Sequence, residues 1–363
     1  MEIKDFSDDG EKHHHHHHHH HNHSSRKEQK KRKWIRPAVV ISIVVVVVVA
    51  LALTGYIRST ETFTTEEKAW SNGNVELRYK DVSYQGEKYK YNNRITTILL
   101  AGIDSVGPIE STAKFAVAPR ADTNLVLVID NKNKKLSIIA LNRDTMTKIH
   151  RYTFDGKDRG LFTDHLGYGF TYGDGGKKSC ENLTDAVSRL LYDININHYI
   201  VINRDSISKI SEIIGPVEVT VPNNDLKEID PIYTEGNIVT IDSSNIELFI
   251  RKRDTSKDFS NTGRMARQNV YINGAMDRVL GLLKDDPKGV WEMIEGLENC
   301  LMTDISRNQY LDIINDAADV KYTKDDYYTP KGIQSAEGRY DEFYVDEDAL
   351  LKMVVDLLYI KQI

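Results

Sequence analysis

The chain has 363 residues, 28% charged and 40% hydrophobic, with a formal net charge of −6, a length sufficient for one large domain or two ordinary ones with a real core. Eight Pro and 22 Gly exclude a collagenous or broadly low-complexity chain. The negative balance excludes bulk nucleic-acid binding, which needs a basic face, so no nucleic acid is expected as a partner.

The N-terminus departs from these averages. Residues 13–21 are nine consecutive His, with His23 close behind; such a run is a metal-binding tract, an expression tag or a low-complexity tail, and is read as having no part in catalysis. The other three His, His150, His165 and His198, are scattered without HExxH spacing, so a His-based metal site is not expected. Seven Lys/Arg fall between 26 and 36, and twenty uncharged residues follow from Ala38 to Ile57. At about 1.5 Å per residue a helix of that length spans about 30 Å, the hydrocarbon thickness of a bilayer. Basic residues before the span and Arg58 alone just after it place the tail in the cytoplasm and the remainder outside. Residues 1–57 carry nine Lys/Arg against six Asp/Glu, a net +3, which leaves −9 for 58–363. Cys180 and Cys300 both lie outside, where a disulfide is chemically allowed; sequence does not show whether they are within reach, and two buried thiols is the preferred reading.

Residues 58–93 read as a polar stalk with short extended pieces. The apolar runs 95–103, 123–130 and 135–142 read as strands, the last two joined as a hairpin through 131–134. A long Gly- and Asp-rich connection occupies 143–179. Helices are predicted over 181–192, 205–214, 244–251, 262–284, 287–301, 306–319 and 346–360, with strands at 198–203, 217–221 and near 340–345. Strands alternating with helices predict an α/β fold with a mixed central β-sheet flanked by helices, preceded by one transmembrane helix. In the helix over 262–284, Ala266, Val270, Met276, Leu280 and Leu283 are expected on the buried side and Arg264, Arg267 or Gln268, and Tyr271 on another face.

Charged residues abut the strand ends: Asp104 after the first, Arg120 and Asp122 before the second, Arg143 and Asp144 after the third. Ligands bind at such an edge in open α/β folds. Asp104 and Asp122 are hard oxygen donors suited to Mg²⁺; solvated or salt-bridged strand ends are the plain alternative. A denser cluster follows, Arg251-Lys252-Arg253 and then Gly263-Arg264-Met265-Ala266-Arg267-Gln268. Arginines around a helix N-terminus suit bidentate phosphate contacts, although a solvated basic face would have the same sequence.

In this order, ILLAGIDS (98–105), Arg120-Ala121-Asp122-Thr123, Asn142-Arg143-Asp144-Thr145, residues 195–222, the Arg-x-Arg of 251–253 and Gly-Arg-x-x-Arg-Gln of 263–268 resemble the LytR-CpsA-Psr family of membrane-anchored cell-wall phosphotransferases. The departures are Val106 where the family has Arg, Asn142 where it has Pro, and a long insert at 107–119. The resemblance implies an α/β/α catalytic domain over 94–285, behind a tail (1–36), a membrane helix (37–57) and a stalk (58–93), with a C-terminal helical extension (286–363) packed on it. It implies transfer of a glycan phosphate from a polyprenyl (undecaprenyl) pyrophosphate carrier to peptidoglycan. Asp104 and Asp122 would position Mg²⁺, and Arg120, Arg143, Arg251, Arg253, Arg264, Arg267 and Gln268 would hold the pyrophosphate. Arg120, Arg143, Asp144, Arg251 and Arg253 would be catalytic, with Asp122 or Asp144 taking the acceptor proton. The competing readings are a polyprenyl-pyrophosphate pyrophosphatase and a non-catalytic wall-polymer binding or regulatory protein.

Overall fold

The computed structural model describes residues 81–362 except 287–288, 291, 293–295, 298, 307–308, 310–318 and 339. The expected tail and membrane span therefore lie outside the described residues. Among the described residues, no helix is long and apolar enough to cross a membrane.

The centre is a six-stranded mixed sheet. β3 (Ile95–Ile103), β4 (Ala121–Asp130) and β5 (Lys135–Leu141) form its antiparallel middle, and β8 (His198–Ile202) lies parallel to β3. Short edge strands complete it, β11 (Leu301–Thr303) on β8 and β12 (Tyr327–Tyr328) on β5. The turn between β4 and β5 falls on the predicted hairpin, with Asp130 Oδ1 accepting from the main-chain N–H of Lys132 and Asn133, both at 2.9 Å. Continuous apolar runs make these strands because both sheet faces are covered. Ile98, Leu100, Leu125 and Leu127 point to one core, and Leu99, Ala101, Val126 and Val128 to the other.

The first core is closed by α3 (Arg204–Ile214), the hairpin β9 (Val217–Thr220) and β10 (Ile238–Ile241), α4 (Ile246–Arg251) and the long α5 (Ser260–Asp285). The second is closed by α1 (Tyr168–Thr171), α2 (Lys177–Leu190) and α6 (Glu347–Leu358). This is the expected α/β/α layering.

Three sequence expectations need correction. The connection 143–179 is not an open loop. It folds as an antiparallel hairpin, β6 (Met146–Tyr152) and β7 (Asp158–His165), followed by α1. Thr147 and Ile149 turn inward from β6 while Met146, Lys148 and His150 do not, an alternation masked by the neighbouring glycines.

The segment 286–363 is not a helical extension either. Besides α6 it supplies both edge strands of the central sheet, the hairpin β13 (Gly332–Ser335) and β14 (Glu342–Val345), and β15 (Tyr359–Lys361). β15 pairs with β2 (Glu87–Tyr91), itself paired with β1 (Val82–Tyr84), so the end of the expected stalk belongs to the fold.

In α5 the expected buried side holds only in part. Met276 is buried as expected and Val270 and Leu280 pack partly buried on the core, but Ala266 is only partly buried, and Arg264, Arg267 and Tyr271, expected on another face, are buried with Asn261, Ala275 and Val279. Cys180 and Cys300 are free and buried.

Candidate functional site

Because β4 runs antiparallel to β3 and β5, the ends of β3 and β5 meet the start of β4 at one edge of the sheet. Asp104, Arg120, Asp122, Arg143 and Asp144 gather there. The β3–β4 register slips between Gly102 and Ile103, a bulge of the kind that re-aims side chains beside sites. A Cβ at Gly102 would stand 3.3 Å from the Thr123 Cβ, a tight contact that Thr123 would have to yield to by a few tenths of an ångström. The end of α4 and the buried face of α5 bring Arg251, Arg253, Arg264 and Gln268 to the same edge.

Asp122 is the centre of the cluster. Its carboxylate accepts from Arg143 and, at 3.1 Å, from Arg264, whose other Nη also donates to the Asp122 carbonyl at 2.8 Å. Burial opposes ionisation of Asp122, but Arg264, Arg143 and Arg120 together outweigh it and hold the carboxyl below the usual carboxylate range. Asp144 accepts from Arg120 at 3.1 Å and stands 3.4 Å from Arg143 Nε. Asn142 Oδ1 accepts from the Asp144 main-chain N–H at 2.9 Å and from Asn261 at 2.7 Å, and Asn261 Oδ1 accepts from Arg264 at 2.6 Å. The Asn that stands where the family has Pro thus ties the β5 end to α5.

At the other side of the cluster, Arg251 donates to Asp104 at 2.7 Å and to Glu247 at 3.0 Å. Arg253 donates only to the Ser260 hydroxyl, at 3.2 Å, and among the described residues no carboxylate lies within ion-pair reach of it. Burial and the neighbouring Arg143 depress the Arg253 pKa, while burial, with Arg143 and Arg253 adding repulsion, pulls Arg264 down to about 10. Both remain cations at neutral pH. Arg120 Nε and Arg264 Nε are buried without a hydrogen-bond partner, and an unmet buried donor costs about 1–3 kcal/mol. The cluster is short of acceptors.

Two cavities meet here. An open cleft of about 700 Å³ is lined by six cations (Arg120, Arg143, Arg251, Lys252, Arg253, Arg264) against three carboxylates (Asp104, Asp122, Glu247). A smaller cavity of about 160 Å³ lies between the sheet and α3 to α5, walled by side chains such as Leu100, Leu125, Ile207, Ile246 and Ile272. The two share Asp104, Asp122, Arg251 and Arg264. The apolar cavity therefore opens beneath the charged cleft.

Asp104, Asp122, Arg120, Arg143, Arg251, Arg253 and Arg264 thus converge as the sequence suggests. Gln268 lines the apolar cavity, donating to Thr123 Oγ1 and the Ile250 carbonyl, both at 3.1 Å. Two residues stand back from the cavities. Arg267 is fully buried and lines neither cavity; it donates to the carbonyls of Phe249 (2.7 Å) and Lys252, to Asn223 (3.1 Å) and to Asp225 (2.6 Å). It fastens the end of α4 to residues 223–225. Asp144 also lines neither cavity, and its carboxylate faces Arg120 and Arg143. Sequence reasoning missed Glu247, which the i, i+4 spacing to Arg251 could have marked, and gave no role to Asn261, which heads the Arg-rich start of α5.

Mg²⁺ takes one or two carboxylates and completes its shell with phosphate and water. Asp104 suits this, being half-exposed in the cleft with one oxygen on Arg251. Asp122 suits it less, since both its oxygens are held by arginines. Among the described residues no group of three or more His, Cys, Asp or Glu could hold a metal, so an ion here would need substrate phosphate to complete its shell.

The LytR_cpsA_psr family model matches residues 53–356. A polyisoprenyl-teichoic acid–peptidoglycan teichoic acid transferase, TagU of Bacillus cereus (strain AH820), is 25% identical over 276 residues, covering 75% of this chain and 80% of the relative. Among solved structures, B. subtilis TagV superposes with a TM-score of 0.53 at 20% identity, over 73% of this chain and 96% of that one. TagT bound to LIIa-WTA gives 0.53 at 18% identity, over 73% and 89%.

Proposed function

We propose a reaction from one premise: the chain belongs to the LytR_cpsA_psr family, whose model spans residues 53–356. It is a phosphotransferase that moves a glycan phosphate from a polyprenyl pyrophosphate carrier, undecaprenyl in kind, to a peptidoglycan hydroxyl, forming a phosphodiester. The observation that carries this reading is the wall shared by the apolar cavity and the cationic cleft. One ligand with a hydrocarbon tail and a polyanionic head fills both, and a polyprenyl pyrophosphate is such a ligand. The name of the B. cereus relative, which joins a polyisoprenyl donor to a peptidoglycan acceptor, supports it.

In this mechanism Arg253, with no carboxylate of its own, and the unmet donors of Arg120 and Arg264 take the pyrophosphate oxygens. Their charge stabilises the transferring phosphoryl group and the departing lipid phosphate. Mg²⁺ held on Asp104 would supply further neutralisation of the head group. Asp122 is a weak base while Arg143 and Arg264 face it. When phosphate oxygens draw those two arginines, the proton affinity of Asp122 rises, and it takes the proton of the acceptor hydroxyl. Asp144 and Glu247 hold arginines in place. The uncharged run 38–57 anchors the chain with the tail inside, so the catalytic domain works at the outer membrane face on a lipid-bound donor.

Full-length protein in detergent micelles, given Mg²⁺, a lipid-pyrophosphate-linked oligosaccharide and peptidoglycan fragments, is expected to yield glycan joined to peptidoglycan through phosphate. Release of phosphate with no joined product would move the assignment to a pyrophosphatase. Tight binding with neither product would make the protein a wall-polymer binder.

A further inference from the structure

One end of the cationic cleft leads to a row of stacked side chains that the reaction above does not use. The Arg120 guanidinium lies 4.4 Å from the centroid of the Tyr168 ring. Tyr168 packs on Tyr172 at 5.9 Å with the rings tilted by 37°. Arg151 sits 5.2 Å from Tyr172 and 4.9 Å from Phe162, between the two rings. The row thus runs from Arg120 through the pair Tyr168 and Tyr172 and then Arg151 to Phe162.

Its far end is open. Phe162 is 40% exposed, and the Arg151 side chain 39%. The row is also held rigid, since Asp164 accepts from Arg151 and, at 2.6 Å, from the Tyr172 hydroxyl. These hydrogen bonds fix Arg151 and Tyr172 behind Phe162, the exposed ring of the row.

The position of the row selects its occupant. Arg120 belongs to the cleft but not to the lining of the apolar cavity. The row therefore joins the site at the cleft and not at the apolar cavity, where the lipid would lie. A chain lying along the row reaches the cleft by way of Arg120. Sugar rings lay their C–H faces on aromatic rings, and guanidinium groups pair with carboxylates. An amino-sugar strand bearing carboxylates meets both kinds of group.

We propose that the row Tyr168, Tyr172, Arg151 and Phe162 is the docking surface for the acceptor glycan strand. The proposal rests on the transferase reading and goes beyond it by placing the second substrate. Phe162 and Tyr172 touch neither cavity, so they position the acceptor and do no chemistry.

The test uses full-length protein and the variants Phe162→Ala and Tyr172→Phe, the second keeping its ring. Transfer is measured while peptidoglycan-fragment and lipid-linked donor concentrations are varied separately. Phe162→Ala is expected to raise the acceptor KM about tenfold, the scale of one lost stacking contact, with kcat and the donor KM unchanged. Tyr172→Phe is expected to retain the wild-type acceptor KM. A rise in the donor KM would overturn the proposal and give the row to the donor's glycan; unchanged constants would also overturn it. Direct titration of the same proteins with peptidoglycan fragments, without lipid, separates this proposal from the transferase reading. If no transfer occurs but Phe162→Ala weakens that binding, the surface stands and the reaction falls. Equal binding by wild type and Phe162→Ala sinks the surface whatever the reaction.

Discussion

Arg264 and Arg267 are three residues apart on one helix and are put to opposite uses. Arg264 reaches the cleft, shares Asp122 with Arg143 and keeps a buried Nε without a partner. Arg267 is saturated by two carbonyls, an amide oxygen and a carboxylate. Arg267→Met would strand those acceptors, and an expected destabilisation of about 3 kcal/mol is checked by denaturant unfolding. Arg253→Ala should do the reverse. Its single hydroxyl contact supports little of the fold, so the midpoint should barely move while kcat falls about 10²-fold to 10³-fold, the usual effect of losing one transition-state donor. A variant that unfolds early, or that transfers at the wild-type rate, would remove Arg253 from the phosphate site. The sequence placed both α5 arginines at phosphate because a separation of three puts them on one face. Which of them ends at the cleft depends on what stands above each. For Arg267 that is the α4 end and residues 223–225, far away in sequence.

At the scale of elements, the β13–β14 hairpin clasps the parts that carry the charged cluster. Its Phe343 N–H donates to the Asp144 carbonyl at 2.9 Å. The Asp341 carboxylate accepts from the Phe259 N–H at 2.9 Å, and its carbonyl from His165 Nε2 at 2.9 Å. Phe259 begins α5 with φ +57°, a left-handed conformation costing about 1–2 kcal/mol for a residue with a Cβ. The Asp341 hydrogen bond helps hold that turn, which leads from Arg253 to Arg264. Asp341→Ala is therefore expected to lower kcat about tenfold, and Asp341→Asn, which keeps an acceptor oxygen, to restore most of it. If both variants behave alike, the side chain does not position the turn. The strand runs that build the sheet were legible because five to ten apolar-rich residues show their character, and the strand ends carried the site with them. β12 and β13 have only two and four residues, too few for alternation to register, so of this clasp only the strand near 340–345, which is β14, was legible in advance.

At the scale of the molecule, the ends of the described domain close on each other. β2 lies between β1 and β15, and α6 inserts Leu350, Leu351, Val354, Val355 and Leu358 into the second core. Tyr91 and Tyr359 meet edge to face at 5.4 Å across that joint. Burying an aliphatic side chain is worth about 1.5–3 kcal/mol, so the five in α6 together rival the whole stability of about 5–15 kcal/mol expected of a domain. From sequence, the C-terminal stretch is expected to pack on the catalytic domain, and α6 does so. Removal of residues 346–363 is expected to abolish cooperative unfolding and leave β2 with one edge unpaired, a template for aggregation. A removable recognition module would instead leave a soluble protein with a normal transition that still bound the lipid-linked donor and had lost only its acceptor. Calorimetry of the truncated chain beside the intact one distinguishes these outcomes, and a preserved transition would mean that the second core is complete without α6.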